Sequence, residues 1–304
     1  MKRTDSGNTI PATLSVPQEH LELGQFIPHV YHYNMLTDQA RMDAFREAIT
    51  FAVPPGSRVL ELGGGTAVLS FFAARRAAKV WCVEKNPELV REARRILALN
   101  PGGERVAVIE ADAFDYLPPE PVDVVICEML HVGMLREKQI PIIESFKRRY
   151  LEKFGAPLPR FVPEAFIQAV QPVQQSFDFD GYYAPTPFFQ TPVAEQPRTL
   201  DLAAPAVYQL ACYGESLPAD CSWQGEITVE RSGQLNALRF ITKNVIAIDE
   251  AAQHTVDWFS QYLIVPLAEP LAVETGQRVT VCFAYRPGDQ IAALKPGVTL
   301  VCQY

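Results

Sequence analysis

The sequence predicts an α/β chain in two unlike halves, a doubly wound parallel sheet over residues 25–156 and an all-β, barrel-like unit over 157–304. Three observations carry this reading. Short apolar runs alternate with helical stretches from Arg58 to Tyr150, the rhythm of βαβ units with helices on both faces of one sheet. A glycine turn, Gly63-Gly64-Gly65, joins the first of these strands to the first helix. After Phe154-Gly155-Ala156-Pro157-Leu158-Pro159 the helical periodicity fades, prolines become dense, and short β-rich runs take over.

Taken in order, residues 1–24 read as a loosely ordered lead. Tyr31 to Val53 carries one helical face, with Leu36, Ala40, Phe45 and Ile49, and Pro54-Pro55-Gly56 ends it. Strands are expected at Val59–Leu62, Val80–Val83, Val106–Ile109 and Val122–Glu128. Helices fall between them at Leu69–Arg76 and Pro87–Leu99, and a further one near Lys138–Tyr150. The second half offers strands at Ala165–Val170, Ala206–Cys212, Gly225–Val229, Ala237–Ala247, Trp258–Val265 and Arg278–Tyr285. Phe177 to Pro197, rich in aromatics and proline, is an arm or a loop.

A chain of 304 residues with 48% hydrophobic content can bury one large core or two moderate ones. A net charge of −8 argues against a nucleic-acid surface and for basic partners. Cys82, Cys127, Cys212, Cys221, Cys282 and Cys302 show no ligand spacing, and Cys82 and Cys127, inside buried-strand patterns, read as reduced core thiols. His29 and His32 lack an acid or cysteine at ligand spacing, so no metal is expected. With no signal-type apolar stretch and no segment able to span a bilayer, a soluble, cytoplasmic protein is expected, with no membrane contact.

The chemistry-bearing residues cluster where strands end. Val124 to Cys127 is an apolar strand closed by Glu128, and a loop returns Glu137 nine positions later, from 128 to 137. Alone, Glu137 reads as a solvated acid at a helix start. Glu128 differs, because a carboxylate closing an apolar strand is seldom without purpose. Two converging carboxylates suit a planar guanidinium, which pairs with them bidentately. Upstream, Glu61-Leu62-Gly63-Gly64-Gly65-Thr66 joins strand to helix, and Glu84 closes the next strand about twenty residues on, where an acid suits two ribose hydroxyls. The loop lacks the full dinucleotide glycine spacing and any Walker lysine, so NAD and ATP fit poorly.

From about His32 to Glu137 the chain resembles the class I S-adenosylmethionine (SAM) methyltransferases, and among them the protein arginine methyltransferase family. The resemblance implies a Rossmann-like SAM-binding domain followed by a barrel. It implies SAM as cofactor, with S-adenosylhomocysteine as product. Glu61, Gly63, Gly65 and Thr66 would form the cofactor loop, Glu84 would hold the ribose, and Asp112-Ala113 would meet adenine. His32 and Met35 match the family's covering helix, and Arg41 matches its carboxylate-binding arginine. Glu128 and Glu137 reproduce its double-glutamate spacing as catalytic residues.

Met129, His131, Asp257 and Trp258 are the substrate-pocket candidates. The family's tyrosine pair ahead of the covering helix is replaced by Glu22-Leu23-Gly24-Gln25-Phe26. Its Thr-His-Trp loop reads Val256-Asp257-Trp258, with Asp257 expected to keep the pocket acidic and His254 near enough to lean in. Gln139 stands where dimethylating members often carry methionine. The acceptor is thus expected to be cationic: arginine in a protein or peptide, or else a small guanidine, amine or other metabolite. A weakly active SAM-binding partner protein is the third reading. A homodimer through a short arm is an expectation of the same resemblance.

Overall fold

The computed structural model describes residues 27–193 and 195–301. The lead over 1–24 and the Glu22–Phe26 stretch lie outside the described residues. Two helices come first, α1 (His29–Thr37) and α2 (Gln39–Ala52). The single helix expected over Tyr31–Val53 is therefore broken at Asp38. Asp38 takes extended backbone, and its Oδ1 accepts the Arg41 N–H at 3.0 Å, which caps α2. Alanines 44, 48 and 52 with Phe45 and Ile49 give α2 its buried face.

The parallel unit runs β1 (Arg58–Leu62), α3 (Val68–Ala74), β2 (Lys79–Glu84), α4 (Pro87–Ala98), β3 (Val106–Glu110), β4 (Val124–Cys127), α5 (Gln139–Phe154) and β5 (Arg160–Val162). Its strand order is β3-β2-β1-β4-β5, all parallel. The chain turns outward from β1 to β2 and later returns to β4 on β1's other side. That leaves a crevice at the carboxyl ends of β1 and β4, the place where such sheets bind ligands. The strands are apolar because helices cover both faces, and Val59, Leu60, Leu62, Val80, Val83, Val125 and Ile126 are wholly buried.

The antiparallel unit follows directly. In chain order its strands are β6 (Ala165–Gln175), β7 (Asp178–Phe179), β8 (Tyr182–Tyr183), β9 (Phe188–Gln190), β10 (Thr199–Asp201), β11 (Ala206–Cys212) and β12 (Cys221–Thr228). They continue with β13 (Gly233–Asp249), β14 (His254–Phe259), β15 (Tyr262–Val273), β16 (Arg278–Tyr285) and β17 (Gly297–Leu300). The larger sheet runs β10-β6-β13-β15-β9, with β11 also on β6 and β14 on β13, and β12-β16-β17 closes over it. Val170, Leu238, Phe240 and Leu263 of the first sheet share one core with Ile227, Val279, Val281 and Phe283 of the second. Both α/β and barrel-like halves are thus present. The run Trp258–Val265, expected as one strand, is interrupted at Ser260-Gln261, where β14 passes in line into β15 along the same edge of β13 with one extra residue in the ladder.

Candidate active site

Four strand ends and two covering helices build the site. The glycine turn bends at once over its neighbour, with the N–H groups of Gly63 and Gly64 both donating to Val83 O at 3.0 and 2.9 Å. Gly63 and Gly65 have φ of 75° and 52°, which favours residues without a Cβ. A Cβ on Gly65 would lie 2.8 Å from His32 Nδ1, so α1 places His32 directly over the turn. A Cβ on Gly63 would meet Met129 Sδ at 3.0 Å, which brings the double-glutamate segment to the same turn. Thr66 is buried beside it, and Met35 lies half-buried one turn after His32.

Glu84 is buried at the end of β2. Its Oε2 accepts the Gly65 N–H at 2.8 Å and its Oε1 the Asn86 N–H at 2.8 Å. Asp112 follows β3, pairs with Lys85 at 2.9 Å and accepts the Phe114 N–H at 3.0 Å, with Ala113 buried next to it. Glu61 is turned into the core. Its Oε2 accepts the Ser70 N–H at 2.9 Å and the Ser70 hydroxyl, and burial pushes its carboxyl up to about 7.

Just past the end of β4, Arg41 pairs with Glu128, and both side chains are nearly inaccessible at 6% and 8%. Arg41 lies over the Phe45 ring at 5.5 Å, and Phe45 in turn meets Trp258 of β14 at 6.3 Å. The covering helix is thereby stacked on the second half of the molecule. Glu137 comes just before α5, and burial and then the Glu128 charge push its carboxyl up to about 8. The Tyr31 phenol of α1 is raised by burial and then by both glutamates, first Glu137 and then Glu128. Helix α1 therefore faces the glycine turn with His32, and the half-exposed Tyr31 beside it lies within the field of both carboxylates. Nothing in the sequence marks Tyr31, because its place depends on carboxylates about a hundred residues further along the chain.

Two expectations are corrected here. Asp257 does not make the pocket acidic, because Lys243 of β13 pairs with it at 2.7 Å. Lys243 lies opposite Phe259 in the β13–β14 ladder, two residues from Asp257, so antiparallel pairing brings the charges together. His254 does not lean in, since it meets Glu47 at 3.2 Å with both side chains exposed. His131 packs edge-on against Phe189 of β9 at 5.3 Å, and burial pushes its imidazole down to about 4, which keeps it neutral at physiological pH.

The residues fit a nucleoside cofactor carrying a carboxylate. The glycine turn gives close backbone approach, Glu84 lies at the strand end that suits a ribose, and the buried Arg41 Nε has no partner, a donor free for a carboxylate. Residues 59–152 match the family model described as a methyltransferase domain. An uncharacterized protein of Methanocaldococcus jannaschii is 26% identical over 87% of this chain and 95% of its own length. The arginine N(omega)-methyltransferase of Streptomyces achromogenes is 30% identical over 49% of this chain and 45% of its own. In structure, Arabidopsis thaliana protein arginine methyltransferase 10 superposes with a TM-score of 0.71, covering 91% of this chain and 97% of that one at 17% identity.

Proposed function

We propose that this chain, a class I SAM-dependent methyltransferase of arginine-methyltransferase-like build, methylates a guanidinium nitrogen, with arginine in a protein or peptide as its acceptor. The observation that carries the proposal is the pair Glu128 and Glu137 at the carboxyl edge of the sheet, near enough for the Glu128 charge to raise the Glu137 carboxyl. The cofactor, when bound, supplies a methyl group already activated by its sulfonium sulfur. Everything else falls to side chains. Arg41 and Glu84 would hold the two ends of the cofactor. Glu128 accepts hydrogen bonds from the acceptor's N–H groups, which keeps positive charge on the remote nitrogens and turns the remaining one toward the methyl group. The positive charge of a bound guanidinium favours the ionised form of Glu137, which then takes up the released proton.

A second reading, a small guanidine or amine as acceptor, is favoured by one finding. The Streptomyces relative is named for arginine itself. Methyl-labelled SAM with a cell extract, split by size after reaction, separates the readings. Label in protein that hydrolyses to methylarginine supports the first, label confined to small molecules supports the second, and no label supports a SAM-binding partner role. A homodimer belongs to the same proposal, through the β7–β8 hairpin, whose Phe179, Tyr182 and Tyr183 are exposed. Sedimentation at micromolar concentration tests it, and a monomer throughout would refute it.

A further inference from the structure

We infer that Gln139 and Thr242 are positioning residues that fix, from opposite domains, the loop carrying Glu128 and Glu137. The inference rests on the function just proposed for those acids. Gln139 opens α5 and is wholly buried. Its Nε2 donates to Cys127 O at 2.7 Å, and its Oε1 accepts the Met129 N–H at 2.9 Å. These two backbone groups flank Glu128, so one amide sets the peptide planes on both sides of it. Only an amide side chain offers a donor and an acceptor in that fork; a methionine here would leave the Met129 N–H without a partner.

The far side of the loop belongs to the second domain. Thr242 lies wholly buried in β13, and its Oγ1 accepts the Gly133 N–H at 2.8 Å. Gly133 has φ of 69°, a conformation that this bond and its neighbours hold in place. The segment after β16 adds two backbone bonds, Gly288 N–H to Met134 O at 2.7 Å and Arg136 N–H to Asp289 O at 2.8 Å. Val132 and Leu135 complete the anchorage by lying in the core of the antiparallel unit. Glu128 is therefore registered by the parallel sheet through Gln139, and the approach to Glu137 by the barrel through Thr242. The relation between the two carboxylates is set by how one domain sits on the other.

Gln139→Met, Thr242→Val and Thr242→Ser test this in the full chain. Three quantities are read: SAM affinity by calorimetry, kcat and acceptor KM on an arginine-containing peptide and on free arginine, and amide hydrogen exchange across residues 128–137. Gln139→Met and Thr242→Val are each expected to lower kcat by about tenfold or more, the effect of a small misplacement of a reacting group. SAM affinity stays within about threefold of the parent, under a kcal/mol in binding terms. Exchange across 128–137 speeds up, and Thr242→Ser, which keeps the hydroxyl, restores both readouts. Parent-like exchange and kcat in the first two variants would overturn the inference. So would a joint collapse of kcat, SAM affinity and fold that serine does not relieve, which marks a packing role only. A parent inactive on both acceptors overturns the arginine reading instead, and the exchange measurement still decides whether these side chains hold the loop.

Discussion

Among single residues, charge pairing decides what the site can accept. Arg41 neutralises Glu128 and Lys243 neutralises Asp257, while Glu137 is raised by burial and by its neighbour. The linkage has a definite sign. Folded Glu137 keeps its proton up to about 8, whereas the ordinary value is 4.5, so between those values the folded state binds the extra proton. Its contribution to stability therefore declines as pH rises through that window and is flat above it. Denaturant midpoints across the window should fall more steeply in the parent than in Glu137→Gln; equal slopes would refute the raised carboxyl. Glu84→Ala should weaken SAM binding by about tenfold or more, as expected for hydrogen bonds to a charged group. Unchanged affinity by calorimetry would remove Glu84 from the ribose. Motif residues such as Glu84 and Glu128 are legible because strand ends are marked by apolar runs. Lys243 beside Asp257, and Thr242 beneath Gly133, are not legible, since the first depends on the register between β13 and β14 and the second on a partner far away in the chain.

For individual elements, the turn after β1 leaves no room for a side chain at its centre. A Cβ on Gly64 would fall 2.1 Å from Cys82 Sγ, so β2 occupies the space a side chain would need. Gly64→Ala should cost about 1–3 kcal/mol through overpacking. Cys82→Ala in the same chain should recover part of that loss, and additive costs in urea denaturation would argue against the clash. The glycine-turn strand and its helix were readable because propensity, period and turn chemistry agree there. The antiparallel strands were harder to bound. β13 runs from Gly233 to Asp249 through register shifts against β14 and β15, and only its middle was anticipated. The interruption at Ser260-Gln261 has no glycine or proline to announce it. The break at Asp38 was hidden for a different reason, because apolar residues continue across it on both sides.

On the scale of the whole molecule, the two halves are not independent. Phe166, Tyr213, Leu217, Ile246, Ala247 and Val256 of the antiparallel unit belong to the same buried core as Ile143 and Phe146 of α5. Lys147 of α5 donates to Tyr213 O at 3.2 Å across the same boundary. Calorimetry should accordingly show one cooperative unfolding transition, and two resolved transitions would contradict a shared core. Such a union suits a site whose cofactor end is built on the parallel sheet and whose acceptor loop is pinned by the barrel. The claim that most depends on this arrangement is that Glu128 directs a guanidinium. Its most direct test is methylarginine formation from labelled SAM and an arginine-containing peptide, parent against Glu128→Gln. We predict methylarginine from the parent and a loss of about a hundredfold or more in the variant, with SAM still bound. Equal methylarginine from both proteins, or label on an acceptor without a guanidinium, would contradict it.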